Sequence, residues 1–367
     1  MIVCEEYHSH ARIAGIITEE IDENDIRTGH EYLIIEDYEA FFSSDEYHLR
    51  LTEENRLKLQ ELCNGDIITI DDKGRIRVLY EFESGDVTIY LTALCNSNCI
   101  MCPSFDSERM TENALPDDWM YEFVRLLPAG VNHIVITGGE PTLRTELFFD
   151  ILYGLADKFP SVDTLILSNG RSFSSKYMVE RLLAHCPAYT TIAIPVHHCI
   201  PSIHDSITRA PGSFYQTQMG IEHLLAQKVA VEIRVVVSKL NCDHLSEIAD
   251  YIAIHFKSIT VVNFVGLETR GNCAKNFNDL FVPFDTAFSF LKPAILKLVE
   301  AGIDVGLYNF PLCWIDEGFR GICKKSITPS KVRYNPECDD CILKSACGGF
   351  FGTTRALAKP VVKPILK

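Results

Sequence analysis

Three closely spaced cysteines, Cys95, Cys99 and Cys102, are the residues whose types and spacing point first to chemistry. They stand as C-x3-C-x2-C in Cys95-Asn96-Ser97-Asn98-Cys99-Ile100-Met101-Cys102. A loop with this spacing can wrap three thiolate sulfurs around one soft metal centre. A cubane of four irons needs four ligands, and this loop offers three. The open iron is then a place where a substrate or cofactor binds directly. A structural zinc site fits poorly here, because closed zinc sites want a fourth ligand nearby.

The elements that must position this loop alternate. From residue 87 onward, apolar strand-like runs fall at 87–94, 133–137, 164–168, 190–196, 231–238 and 259–265. Amphipathic segments lie between them at 116–127, 145–159, 174–185, 214–227 and 244–255, and a sixth follows at 284–300. Near-continuous apolar strands separated by helices imply a parallel sheet covered on both faces. Six units are too few for a closed eight-stranded barrel. The expected fold class is therefore α/β, a partial (β/α)6 TIM-type barrel over 87–302 with its site at the C-terminal strand ends.

Two smaller regions flank that barrel. Residues 1–86 read as a small β-rich module, with strands at 11–18 and 32–35, a helix over 51–63 and a hairpin at 66–80 turning at 71–74. No chemistry is evident in it, and a folding or docking role is expected. Residues 303–367 begin with a short strand at 303–308 and continue into a cysteine-rich tail.

Composition narrows the function classes. The chain has 367 residues, 47% of them hydrophobic, and no apolar run approaching the roughly 18 residues of a membrane span. Glu5 and Glu6 stand where a signal peptide would carry lysines, so a cytoplasmic location is expected, with no membrane partner. A net charge of −16 argues against nucleic acid as partner. Fourteen cysteines in a reducing compartment point to metal binding or catalysis rather than disulfides.

Other strand ends carry polar or flexible residues. After the second comes Gly138-Gly139-Glu140-Pro141, where glycines permit close backbone approach and free amides, and Glu140 can accept from an ammonium group. The third ends in Ser168-Asn169-Gly170, which also reads as a plain polar turn. His197 and His198, with His204-Asp205 soon after, follow the fourth, at the expected substrate side. Arg234 interrupts the apolar fifth strand and points inward only if a carboxylate accompanies it. Glu268 follows the sixth as a further substrate-side candidate. In the tail, Cys338, Cys341 and Cys347 form C-x2-C-x5-C, with Cys313 or Cys323 available as a fourth ligand. Four thiolates make a closed site, either an iron–sulfur cluster for electron transfer or a zinc knuckle. Cys4, Cys63, Cys186, Cys199, Cys242 and Cys273 are isolated and read as buried or incidental.

The cysteine loop together with Gly138-Gly139-Glu140-Pro141 resembles the radical S-adenosylmethionine (SAM) superfamily. The resemblance implies a [4Fe–4S] cluster on Cys95, Cys99 and Cys102, with the SAM amine and carboxylate on the open iron. It implies SAM contacts from Gly138, Gly139, Glu140, Pro141, Ser168, Asn169 and Arg234. Met101 stands where the family often has an aromatic, and is expected to cover the cluster or pack near adenine. The tail resembles the shortened auxiliary-cluster (twitch) domains of peptide-modifying members, which implies a second [4Fe–4S] cluster on Cys338, Cys341, Cys347 and Cys313 or Cys323. Leu91-Thr92-Ala93-Leu94-Cys95-Asn96, Ile203-His204-Asp205, Gly212-Ser213-Phe214, Asn309-Phe310-Pro311-Leu312-Cys313 and Cys347-Gly348-Gly349-Phe350-Phe351 further resemble the His-Xaa-Ser system maturases. That likeness implies a ribosomally made precursor peptide as substrate, a flavodoxin- or ferredoxin-type electron donor and a companion maturase as partners. The bond made, whether crosslink, thioether, epimer or oxidised residue, is not implied. Rival readings are a superfamily enzyme acting on a small molecule or another protein, and a non-catalytic metal-binding adaptor.

Overall fold

The computed structural model describes residues 2–3, 11–17, 30–36, 39–44, 48–50, 52–110 and 114–366. Cys4 lies outside them, as do Thr18 and Leu51 at the ends of two expected elements. The chain divides into two compact units. One holds Met1–Thr92, Ala114–Ile166 and Leu182–Thr190; the other holds Ala93–Asn113, Leu167–Arg181 and Thr191–Lys367.

The first unit begins with β1 (Ile2–Val3), β2 (Arg12–Ile17), β3 (Tyr32–Glu36), β4 (Glu39–Phe42), β5 (His48–Arg50), β6 (Ile67–Ile70) and β7 (Arg75–Tyr80). They form a sheet in the order β1-β7-β6-β2-β3-β4-β5. The hairpin expected from the sequence is β6–β7. Its turn is closed by the Asp71 carboxylate, which accepts from the Lys73 and Arg75 amides at 3.0 Å each, while Gly74 takes φ +72. The expected helix is shorter than its apolar spacing suggested. Helix α1 (Glu53–Leu59) starts where the Thr52 hydroxyl accepts from the Asn55 amide, and it leaves Leu57 exposed. Leu59 and Leu62 reach the core of Ile16, Leu33, Phe42 and Ile68.

The same unit contains the parallel strands β8 (Asp86–Tyr90), β9 (His133–Thr137) and β10 (Asp163–Leu167), with helices α2 (Asp117–Leu126) and α3 (Thr145–Lys158). Helix α3 buries Leu147, Phe148, Phe149, Ile151, Leu152 and Leu155. Each such side chain contributes about 1.5–3 kcal/mol relative to exposure. Helix α4 (Lys176–His185) follows in the chain.

In the second unit, β11 (Thr190–Pro195), β12 (Ala230–Val236), β13 (Val261–Val265), β14 (Asp304–Tyr308) and β15 (Cys323–Lys324) pair consecutively in parallel. Their helices are α5 (Pro201–Thr208), α6 (Ser213–Ala226), α7 (Leu245–His255) and α8 (Phe284–Glu300). The fold is thus the expected α/β partial barrel, with parallel strands in chain order. The parallel strands run past residue 302, where the sequence reading closed the barrel. Val305, Gly306 and Leu307 are buried, and Gly306 fits because the Asn263 side chain occupies the space of a Cβ. The other difference is α5. The stretch around His204 and Asp205 reads as loop, yet Pro201 at the first helical position, with its φ pre-set, starts a helix there.

Gly220 on α6 packs so closely on the turn at 171–174 that an added Cβ would meet the Gly170 carbonyl and lie 3.4 Å from the Phe173 backbone. Gly220→Ala is therefore expected to cost about 1–3 kcal/mol as overpacking. By contrast, Gly154→Ala on α3, where the nearest atom is 3.7 Å away, should be neutral or stabilising by up to ~1 kcal/mol. Urea unfolding midpoints of the two variants check the contrast.

Candidate metal and cofactor site

The cysteine loop leaves β8 and is held from outside itself. The Asn98 and Ile100 amides donate to the Thr208 and Ile207 carbonyls, each at 2.9 Å. Those carbonyls belong to the last turn of α5, where a helix has acceptors without internal partners. From the short helix Gly271–Lys275, Asn272 Nδ2 reaches Asn98 Oδ1 (3.0 Å) and the Cys99 carbonyl (3.3 Å). Asn276 Nδ2 reaches the Ile100 carbonyl at 3.3 Å, and the Cys273 amide donates to the Cys102 carbonyl at 3.2 Å. Arg171 donates to the Asn96 carbonyl and to Ser97 Oγ (3.0 Å), and is itself held by Gln216 at 2.7 Å.

This scaffold brings the three thiols together. Burial pushes the Cys99 thiol up to about 12, helped by the neighbouring Cys102 and Cys95 and opposed by the Arg109 charge. A thiol raised by its neighbours in this way wants a cationic centre, which would deprotonate it on binding. The donor set therefore fits an iron–sulfur cluster. Met101, expected to cover such a centre or to pack near adenine, sits in a small apolar cluster against which Cys99 also packs. It is buried against Ile207, Leu267, Cys273 and Leu280, anchoring the loop from below.

In the other unit, the two glycines serve the fold before any ligand. A Cβ on Gly138 would strike the Thr92 backbone, and the Gly139 amide, expected to be free, donates to the Thr92 carbonyl at 2.7 Å. Glu140 is fully buried, and its Oε1 accepts from the Thr142 amide (3.2 Å) and hydroxyl (2.6 Å). Pro141 begins the short turn that Glu140 caps. Arg144 ties this turn to the chain leaving β8 through the Leu91 carbonyl at 2.7 Å.

Ser168 and Asn169 are likewise engaged in their own turn. Ser168 Oγ accepts from the Gly170 amide and Asn169 Oδ1 from the Arg171 amide, both at 3.0 Å. Asn169 Nδ2 also reaches Asn96 Oδ1 at 2.6 Å, so this turn touches the cysteine loop. Arg234 has the carboxylate that an inward charge requires. Its Nε donates to Glu232 Oε1 at 2.5 Å, and its guanidinium lies 5.6 Å from the Tyr308 ring centre. Glu232 stands two positions back on the same strand, hence on the same face. The spacing of Glu232 and Arg234 is the signal the sequence offers for this pair.

The histidines are buried rather than exposed at a mouth. Burial, with the charge of His204 nearby, pushes His197 down to about 3. Burial also lowers His198, helped by His244. His197 Nδ1 and His198 Nε2 are buried without a hydrogen-bond partner among the described residues. Asp205 is a cap: it accepts from the Gly212 and Phe214 amides (2.6 and 2.8 Å) and the Ser213 hydroxyl (2.9 Å) at the start of α6. Glu268 pairs with Lys331 at 3.3 Å.

In the tail, Cys313, Cys338, Cys341 and Cys347 line one small pocket. The amides of Leu312 and Gly349 point at Cys347 Sγ at 3.5 and 3.4 Å. Cys323, the competing fourth ligand, lies on β15 outside that lining, although its thiol, pushed up to about 12 by burial, also feels Cys347. Among the described residues, no group of three or more Cys, His, Asp or Glu side chains gathers at a single-ion position. The four sulfurs are thus grouped by the pocket they share. Arg171, Arg109 and Asn272 had no signal in the sequence, since nothing in their spacing ties them to the cysteines.

Residues 89–252 match the model of the Radical SAM superfamily. GTP 3',8-cyclase of Limosilactobacillus fermentum is 25% identical over 59% of this chain and 64% of its own length. The sporulation killing factor maturation protein SkfB of Bacillus subtilis is 24% identical over 45% of this chain and 39% of its own. The chain thus spans about half the length of these curated relatives. The solved structure of Streptococcus suis SuiB bound to S-adenosylmethionine is similar with a TM-score of 0.48 at 13% identity, over 69% of this chain and 53% of that one. No helix among the described residues is long and apolar enough to cross a membrane.

Asp205 gives this region a pH signature. Burial opposes its ionisation, but the Phe214 and Gly212 amides and the Ser213 hydroxyl outweigh that and hold its pKa below 3.8. A lowered folded pKa adds stability above the unfolded value, lost as pH falls through the folded one. Asp205→Ala should cost about 0.5–2 kcal/mol at pH 7. The gap from wild type should begin to close below about pH 4 and vanish in stronger acid. Urea melts across that range check it.

Proposed function

Because the chain carries a radical SAM domain over residues 89–252, we propose that it is an enzyme that modifies a ribosomally made precursor peptide. The observation that carries this reading is the loop inside the matched region, where Cys95 and Cys102 lie within electrostatic reach of the half-buried Cys99. These three residues would hold a [4Fe–4S] cluster. Such a cluster supplies one-electron cleavage of SAM to methionine and a 5′-deoxyadenosyl radical, which abstracts hydrogen from a side chain or Cα. A flavodoxin- or ferredoxin-type protein would deliver the electron, and a companion maturase would assist.

The chain's own residues then have defined tasks. Asn272, Asn276, Arg171 and the end of α5 hold the cysteine backbone in place. Gly138, Gly139, Glu140 and Pro141 are assigned to SAM, with Ser168 and Asn169 near its ribose and carboxylate. Among the described residues Arg234 is engaged through Nε by Glu232, and its guanidinium has further donors that suit a carboxylate. His197 and His198 are assigned to the substrate. With His197 held neutral by burial, they act as hydrogen-bonding groups rather than acids. Glu268 remains a substrate-side candidate whose Lys331 pair must open to release it. Cys313, Cys338, Cys341 and Cys347 are assigned to a second [4Fe–4S] cluster, a closed set suited to electron transfer. In this reading residues 1–86 form a small folding or docking module, 87–302 the barrel and 303–367 the auxiliary domain.

SkfB, named a maturation protein, supports the peptide substrate. The GTP 3',8-cyclase relatives favour a second reading, a small-molecule substrate. Anaerobically reconstituted protein given reductant and SAM should release 5′-deoxyadenosine, and Cys99→Ala should abolish it while leaving the circular-dichroism spectrum unchanged. A candidate precursor peptide encoded beside this gene should change mass in that reaction. No 5′-deoxyadenosine from the wild type would end the enzyme reading; product formation with no peptide mass change would favour the small-molecule one. For the tail, metal analysis should find about eight irons per chain, the content of two cubanes. About four irons with zinc would make the tail a zinc knuckle instead.

A further inference from the structure

Arg109 is a buried cation beside the cysteine loop that none of these roles uses. It ends the short helix Asp106–Arg109, and its side chain is 7% exposed. Nη2 donates to Asn98 Oδ1 and, at 2.7 Å, to Asp106 Oδ1, while Nε has no hydrogen-bond partner among the described residues. Asn98 directly precedes Cys99, and its Oδ1 is shared with Asn272. The guanidinium is therefore fixed to the loop itself.

Its charge is only partly cancelled. A buried charge is costly unless paired, and Asp106 is 41% exposed and also serves Lys275 at 3.0 Å. Nearby, Arg270 pairs with Glu108 at 2.7 Å. Arg109, Lys275 and Arg270 thus face Asp106 and Glu108, three cations against two anions, in a chain of net charge −16. Arg109 is also the cation that acts on Cys99 against the effects of burial and the two other thiols.

We propose that Arg109, locked by Asn98, is the fixed counter-charge of the metal centre on Cys95, Cys99 and Cys102 and sets how readily that centre accepts an electron. The inference rests on the reading that these cysteines hold an iron–sulfur cluster. Reduction adds one negative charge to a centre already ringed by thiolates, and no bond breaks in that step. The electron comes from the external one-electron donor, replaced by dithionite in the test. A cation held in a poorly solvated place stabilises the reduced form more than a solvated one would, because little dielectric screening intervenes. Arg109 is on this account a positioning residue acting through the centre, not a group that touches SAM.

The test compares wild type, Arg109→Gln and Arg109→Lys, each reconstituted anaerobically and titrated with dithionite. The EPR signal that changes on adding SAM identifies the relevant centre. Arg109→Gln should make reduction about tenfold less favourable, about 59 mV for one electron. Arg109→Lys loses the planar guanidinium whose Nη2 serves both Asn98 and Asp106 but keeps the charge, and should stay within about threefold of wild type. Equal shifts in both variants would mean a packing role and overturn the proposal, as would no shift in Gln. Should the Gln variant not fold, a tenfold loss in a Lys variant of unchanged Tm would overturn it alone. A wild-type protein that takes up no iron, or whose signal ignores SAM, fails earlier: the cluster reading and the proposal fall together.

Discussion

The last turn of an α-helix has carbonyl groups with no partner inside the helix, and at the end of α5 the cysteine loop supplies the partners. The Asn98 and Ile100 amides accept this role, and Met101 is buried against Ile207 on the same helix. The loop has no regular structure of its own, so its shape is that of the surface it docks on. Helix α5 is in turn tied to α6, because Asp205 on the first caps the start of the second. Asn272 and Asn276 close the remaining side. A loop fixed by backbone bonds rather than by its metal ligands can present three thiols before any metal arrives, which lowers the ordering cost of binding.

At nearly every strand end, the polar residues serve the backbone first. Glu140 caps its own turn, Ser168 and Asn169 accept the amides that follow them, and Gly138 makes room for Thr92. The physical reason is general. Where a strand stops, its backbone leaves the ladder of paired amides and carbonyls, and buried groups must find new partners. A residue that satisfies that demand is held in one rotamer, which is also what a ligand-contacting residue requires.

Charge is distributed against the average. The chain carries −16 overall, yet the surroundings of the cysteine loop hold more cations than anions. Thiolates concentrate negative charge, and cations nearby reduce the work of assembling them. In the tail the same problem is met by amides directed at Cys347 Sγ. Four cysteines spread over 35 positions of the chain, from Cys313 to Cys347, come to one pocket because β14 leads directly into Cys313 and the tail folds back upon it.

The sequence by itself determined the α/β architecture. Alternating apolar and amphipathic runs marked α3, α6, α7 and α8 to within one or two residues, because burial on a sheet imposes a period that survives in the residue pattern. The spacing of Cys95, Cys99 and Cys102 placed three cysteines in one short loop, as residues that are to share one centre must be near in the chain or brought near by it. Only the tertiary structure decided what holds and tunes that loop. Arg109, Arg171 and Asn272 reach it by hydrogen bonds from other segments, and such contacts leave no periodic trace in a single sequence. It decided, too, that Met101 faces the core and that the histidines are buried. Direction and burial follow from how elements pack, while residue type records only what each position can tolerate.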